Sequence, residues 1–181
     1  MKAVLVSIKP KWCLFISELI KTIEVRKTKP NLETPFKCYI YCTKAKSHYS
    51  VGHIGLSDDE LYRLNDGQIK YGNSIELMLN NNCTVNNFLN GKVIGEFVCD
   101  YIETFGDDVI HSFSNEEYSR WNDFDLNRAC IHPQDFEEYA NDSLLLYGWH
   151  ISELIIYDKP KELSEFGLSR APQSWCHVEV A

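Results

Sequence analysis

In a short stretch early in the chain, Lys21–Lys27 (KTIEVRK), the apolar Ile23 and Val25 alternate with the polar Thr22, Glu24 and Arg26. A period of two predicts a β-strand with one buried face. The other face then presents Thr22, Glu24 and Arg26 about 6–7 Å apart, with a lysine at each end. This hydroxyl, carboxylate and guanidinium suit recognition of a nucleotide or acid–base chemistry on one. An ordinary solvated strand face with a weak Glu–Arg ion pair is the competing interpretation.

Charge is distributed unevenly along the 181 residues, whose formal net charge is −8. Residues 1–48 contain ten lysines and arginines but three acidic residues, and the rest of the chain is strongly acidic. A local basic surface binds phosphates even on an acidic protein, and the acidic remainder suppresses indiscriminate binding. The basic segment contains the alternating strand, which favours nucleic acid as its partner.

Length and hydropathy predict one domain with a core of its own, carrying an insertion at about residues 44–91, which are rich in Asn and Ser. The sequence contains no uninterrupted run of about 18 apolar residues, so it predicts no transmembrane helix. The N-terminal apolar run is too short for a secretion signal and is interpreted as a first strand. We therefore expect a cytoplasmic protein without a membrane partner.

The chain has seven cysteines, which is an odd number, and no secretion signal is predicted. Both observations argue against a disulfide framework. Cys38 and Cys42 lie four residues apart in a predicted strand and share a face. Buried free thiols explain this pattern best, with a zinc site assembled from distant residues as the alternative. We predict no cofactor and no metal, and the oligomeric state stays undetermined.

The remaining pattern predicts many strands, few short helices and no repeating strand–helix–strand rhythm. Apolar spacing predicts a helix over about residues 11–20, and Pro133 is near the first turn of another over 132–140. Strands are expected at 36–43, 92–105, 147–157 and 175–180, with a helical turn at 163–166 and a further helix within Asp58–Leu64. Together these predict an α+β fold, a mainly antiparallel β-barrel with short flanking helices.

Several separated blocks together resemble an ASCH domain of the PUA-like group. They span most of the chain: SIKPKW at 7–12, KTIEVRK at 21–27, VIGEF at 93–97, WHIS at 149–152, YDKP at 157–160 and PQSWC at 172–176. The family motif is G-x-K-x-x-E-x-R, and Lys21, Glu24 and Arg26 match it. Leu19 stands at the glycine position, where the family makes a turn between helix and strand. The resemblance implies a PUA-like barrel with a cleft beside the motif strand.

The resemblance also implies RNA or a modified nucleotide as ligand. Some relatives are enzymes, either amidohydrolases of acylated cytidine or a ribonuclease, and the lysine of the amidohydrolases matches Lys21. The amidohydrolase threonine aligns with Glu24, and Glu137 or Glu138 is the candidate for their distant glutamate. Hydrolysis with Lys21 and Glu24 as catalytic residues is therefore the alternative function. An interaction protein that uses its acidic surface is a third, weaker alternative.

Nine residues are predicted to form the binding site in a basic cleft. Cationic, polar and aromatic side chains would contact phosphates and base edges and stack on bases. They are Lys9, Trp12, Lys21, Thr22, Glu24, Arg26, Lys27, Gln173 and Trp175. His150 is interpreted as a hydrogen-bonded structural histidine rather than as an acid or base.

Overall fold

The computed structural model describes residues 2–44, 90–106, 123–141 and 143–179. Its strands are β1 (Lys2–Ile8), β2 (Ile23–Arg26), β3 (Phe36–Cys42), β4 (Lys92–Cys99), β5 (Ile102–Gly106), β6 (Leu145–His150), β7 (Ser152–Lys161) and β8 (Trp175–Glu179). Its helices are α1 (Pro10–Ser17), α2 (Asp123–Ala129), α3 (Pro133–Ala140) and a 3₁₀ turn at Leu163–Phe166.

The described strands form two sheets. One has five strands in the order β7-β4-β3-β1-β8, and the other has three in the order β2-β6-β5. Strand β1 runs parallel to β3, whereas the other described pairs are antiparallel. The α+β class and the mainly antiparallel arrangement are therefore confirmed.

The expected single closed barrel is wrong for the described strands, because two long predicted strands bend from one sheet into the other. The stretch 92–105 breaks between β4 and β5, and 147–157 breaks at Ile151 between β6 and β7. Glu153, just after this second break, has a left-handed backbone with φ 47°. Since β4 pairs with β7 and β5 with β6, the two breaks form one corner that joins two open sheets.

The predicted insertion at 44–91 lies almost entirely outside the described residues, as does the helix expected within Asp58–Leu64. Its two ends are adjacent, because the Gly91 amide donates a hydrogen bond of 2.7 Å to the Cys42 carbonyl. Strands β3 and β4 thus pair directly on either side of this segment. The insertion stays a prediction.

Helix α1 ends three residues earlier than the apolar pattern predicts, because Leu19 has a left-handed backbone with φ 59°. The Leu19 amide donates to the Ile16 carbonyl and the Ile20 amide to the Phe15 carbonyl, each at 2.9 Å. This pair of bonds defines a Schellman motif, in which glycine is the usual left-handed residue. Leu19 therefore makes the turn expected of the family glycine.

The main core lies between the inner face of the five-stranded sheet, α1 and the fully buried Trp149 of β6. Cys13, Cys38, Cys42 and Cys99 are buried within it as free thiols, which confirms their predicted role as small core residues. No group of three or more metal-ligating side chains occurs among the residues that the structure describes. No helix in this part of the chain is long and apolar enough to cross a membrane.

Candidate nucleotide-binding cleft

Strand β2 is buried on both of its faces. Ile23 and Val25 pack against α2 and α3 in a core of their own, as the alternation predicts. On the other face, Glu24 is 5% exposed and Arg26 is 9% exposed. The solvated-face interpretation is therefore wrong, and burial of these charges needs another explanation.

The polar side of β2 lines a cavity of about 410 Å³. Helix α1 contributes Trp12 to its wall, and α3 contributes Asp135 and Tyr139. The lining residues are Ser7, Lys9, Trp12, Lys21, Glu24, Val25, Arg26, Thr43, Ile131, Asp135, Tyr139 and Gln173. The β2 charges thus lie in a recess between two helices.

Glu24 lies between two cations that the backbone holds in place. Its Oε1 atom is 2.9 Å from Arg26 Nη2, and its Oε2 atom is 3.4 Å from Lys21 Nζ. Arg26 Nη2 also donates to the Ser7 carbonyl at 2.6 Å, and Lys21 Nζ donates to the Ala129 carbonyl at 2.6 Å. These bonds, reaching β1 and the end of α2, fix both cations around the carboxylate.

Two atoms of this cluster lack a hydrogen bond among the described residues. They are Glu24 Oε2, which has only the longer ion-pair contact with Lys21, and Arg26 Nε. An unmet buried acceptor or donor costs about 1–3 kcal/mol, so such atoms call for an explanation. One acceptor and one donor beside the cavity thus lack a hydrogen-bond partner among the described residues, and both atoms are themselves buried.

Burial lowers the pKa of the Lys21 ammonium from its ordinary value of 10.5, and the neighbouring carboxylate of Glu24 opposes this shift only in part. The Nζ atom also lies 5.2 Å from the ring centroid of Trp12. A lysine with a lowered pKa has more neutral amine near neutral pH, which is the form that acts as a base.

The structure brings six of the nine predicted site residues together at this cavity. They are Lys9, Trp12, Lys21, Glu24, Arg26 and Gln173. Lys27 lies outside the lining, but its ammonium group lies over the ring of Tyr139, which lines the cavity. Trp175 is also outside the lining and contacts Thr28, Trp149 and His177. Thr22 is separate: its hydroxyl accepts a hydrogen bond of 3.1 Å from Arg128 Nε, and its amide donates to the Arg128 carbonyl. Thr22 therefore joins β2 to α2.

Sequence reasoning anticipated a contribution from α3 but not the two residues of this helix that line the cavity. Asp135 and Tyr139 line the cavity from this helix, whereas Glu137 and Glu138, the candidates for the distant glutamate, do not. The spacing of four residues between Asp135 and Tyr139 places them on one helix face, a signal present in the sequence. Which face packs over β2 is a tertiary contact, which periodicity does not reveal.

His150 is held by neighbours away from the cavity lining. Its Nδ1 atom is 3.4 Å from Arg128 Nη2, and its Nε2 atom is 3.7 Å from Glu103 Oε2. The exposed ring of Tyr101 packs edge-on against the imidazole. These contacts agree with the structural role predicted for this histidine.

Comparison with known proteins relates this α+β fold to one class of domain. No family model matches the sequence, and no curated protein matches it. Among solved structures, the ASCH protein of Zymomonas mobilis matches with a TM-score of 0.57 and 15% identity, covering 96% of this chain and 85% of that one. Two point-mutant forms of the same protein also match, each with a TM-score of 0.57. The first has 14% identity and covers 97% of this chain and 89% of its own. The second has 13% identity and covers 96% of this chain and 86% of its own. The resemblance to ASCH domains is thus confirmed at the level of the fold.

Proposed function

We propose that this chain is a PUA-like module that binds RNA or a modified nucleotide, with one base inside the cleft of β2. The observation that carries the proposal is the buried Lys21–Glu24–Arg26 cluster, which lines a cavity and leaves an acceptor and a donor unmet. Buried charges without a full set of partners are costly for a purely structural role. A bound ligand would supply the missing hydrogen bonds.

The size and charge of the cavity favour a base over a phosphate as its occupant. Its volume of about 410 Å³ is within the range of about 300–1,000 Å³ that is usual for small-molecule sites. Lys9, Lys21 and Arg26 are opposed there by Glu24 and Asp135, so the lining is only weakly positive. A nearly balanced lining suits a neutral polar group better than a dianion.

The polar atoms in the cleft are suited to the edge of a base. Glu24 Oε2 would accept a hydrogen bond from an amino or ring N–H, and Arg26 Nε would donate to a carbonyl or ring nitrogen. Trp12 and Tyr139 line the same cavity and provide aromatic surfaces for stacking, which is worth about 1–3 kcal/mol per base.

Binding of a fluorescein-labelled, mixed-sequence 15-nucleotide RNA, followed by anisotropy, tests this proposal. Nucleosides including N4-acetylcytidine are measured in parallel by saturation-transfer NMR. We expect Glu24→Gln to weaken binding at least about tenfold, because it alters a charge-assisted acceptor at the base edge. Glu96→Gln is the matched control and should bind as wild type does. Absence of wild-type binding to every probe, or equal affinity of both variants, would contradict the proposal.

Hydrolysis of a modified nucleoside or of RNA is the second candidate, and the lowered pKa of Lys21 favours it. The neutral amine would act as general base on a water molecule, and Glu24, paired with Arg26, would orient that water. Absorbance of N4-acetylcytidine and gel analysis of the labelled RNA report the two reactions. Turnover by wild type that Lys21→Ala abolishes supports hydrolysis, whereas equal rates in both proteins exclude Lys21 from the chemistry.

A further inference from the structure

Three consecutive exposed residues after β2 each contact an aromatic side chain from a different element. Lys27 Nζ lies 5.4 Å from the ring centroid of Tyr139, and Lys29 Nζ lies 5.3 Å from that of Tyr147. Between them, Thr28 Oγ1 accepts a hydrogen bond of 2.9 Å from the indole nitrogen of Trp175. We call residues 27–29 the basic strip.

The cations of the basic strip differ from the two that flank Glu24 inside the cleft. Within the described residues, the ammonium groups of Lys27 and Lys29 have no carboxylate partner, whereas Lys21 and Arg26 share Glu24. Contact with the face of a tyrosine holds an ammonium group without neutralising it. The strip therefore presents two ammonium groups that can bind an anion and that the tyrosine rings already hold in position.

The basic strip continues directly from the cleft. Lys27 follows Arg26, the last residue of β2, and the Tyr139 ring beneath the Lys27 ammonium also lines the cavity. A nucleotide whose base lies on Glu24 and Arg26 must direct its sugar and phosphates out of this weakly positive recess. Along the chain after Arg26, the next two cations are those of the strip, and they lack a carboxylate partner among the described residues, as does Lys9 in the cavity lining.

We propose that the basic strip binds backbone phosphates of single-stranded RNA next to the nucleotide held in the cleft, so that the ligand is an oligonucleotide rather than a free nucleoside. This inference rests on the proposed function. The cleft supplies base contacts, and the strip supplies the sequence-independent, salt-dependent part of the affinity.

The test combines Lys27→Ala with Lys29→Ala and measures binding of the same 15-nucleotide RNA across a range of KCl concentrations. We expect affinity to fall about tenfold, as for two exposed ion pairs. The slope of log affinity against log salt should decrease by about 0.7 for each phosphate of a single strand that the protein no longer neutralises. Lys27→Arg with Lys29→Arg should keep the slope, since charge at both positions is retained.

Lys159→Ala with Lys161→Ala is the matched control, because it removes the same charge and Lys161 also lies on a tyrosine ring, 4.5 Å from the centroid of Tyr157. The proposal is supported if this control keeps the wild-type affinity and salt slope while the Lys27 and Lys29 double variant loses part of both. Equal losses in both double variants would overturn it. RNA binding that depends on Glu24 but not on the strip, or wild-type binding of a nucleoside without binding of RNA, would refute the strip alone. Absence of wild-type binding to every RNA and nucleoside probe would refute the proposed function.

Discussion

Two glutamates, Glu24 in the cleft and Glu96 on the five-stranded sheet, each lie beside a lysine but differ in how fully they are bonded. Both oxygens of Glu96 are used: Lys37 Nζ donates to Oε1 at 2.6 Å and the Tyr157 hydroxyl donates to Oε2 at 2.5 Å. Glu24 is more buried, with a side chain 7% exposed against 16% for Glu96, yet its Oε2 atom has no such bond among the described residues. The complete cluster suits a structural role, and the incomplete one suits a ligand.

Removing each carboxylate gives the largest expected contrast between these clusters. Glu24→Ala leaves Lys21 and Arg26 buried without their shared partner, so we expect a loss of about 3 kcal/mol or more in the free energy of unfolding. Glu96→Ala should cost about 1 kcal/mol or less, because Lys37 is partly exposed. Urea unfolding of both variants measures the difference. Equal losses would show that the two clusters are equivalent.

Two residues with a left-handed backbone, one before each cluster, offer a smaller, matched comparison. Leu19 precedes Lys21 with φ 59°, and Glu153 precedes Tyr157 on β7 with φ 47°. We expect Leu19→Gly and Glu153→Gly each to stabilise the protein by roughly 0.5–1 kcal/mol by relieving left-handed strain. Thermal unfolding measures this effect.

Leu19→Ala is the control for this prediction, since alanine retains the Cβ atom and should give no gain. RNA affinity should be unchanged in Leu19→Gly, because the leucine already adopts the glycine conformation. A destabilised Leu19→Gly protein, or one with altered RNA affinity, would show that the side chain of Leu19 matters to the turn.

The smallest expected effects are pH dependences of opposite sign at the two lysines. Burial lowers the pKa of Lys21, so its protonated form opposes folding, and this penalty is relieved as pH rises through the folded-state pKa toward 10.5. The hydrogen bond to Glu96 raises the pKa of Lys37, so its stabilisation is complete below 10.5 and is lost as pH rises through the higher folded-state value.

Urea unfolding from about pH 8 to about pH 11 compares wild type with Lys21→Met and with Lys37→Met. The stability of wild type relative to Lys21→Met should increase with pH. Its stability relative to Lys37→Met should stay level and then decline at the alkaline end. The same sign of slope for both pairs would contradict the distinction between the clusters.

The local elements of this fold follow from the sequence, but the corner between its sheets does not. Pro10 and the apolar spacing after it predict α1, and the alternation at 21–27 predicts β2. The strands at 92–105 and 147–157 look continuous, because a strand that bends into a second sheet keeps its period of two. The turn at Leu19 is not predictable from the sequence either, because leucine rarely adopts a positive φ.

For the candidate site, the sequence shows which β2 side chains share a face, but not that this face is buried. Glu24 and Arg26 are read as exposed because charged side chains usually are. The packing of β1, α1 and α3 around β2 encloses them and adds Tyr139 to the wall. The same packing separates Thr22, which alternation groups with Glu24, and ties it to Arg128.

The most direct test follows the Arg26 side chain by ¹H–¹⁵N NMR while the 15-nucleotide RNA is added. Arg26 Nε has no hydrogen-bond partner among the described residues, and Arg26→Lys identifies its signal by deletion. Our account predicts that this signal shifts on saturation with RNA, while that of the exposed Arg170 stays in place. RNA that binds without moving the Arg26 signal would contradict the claim that the cleft holds the base.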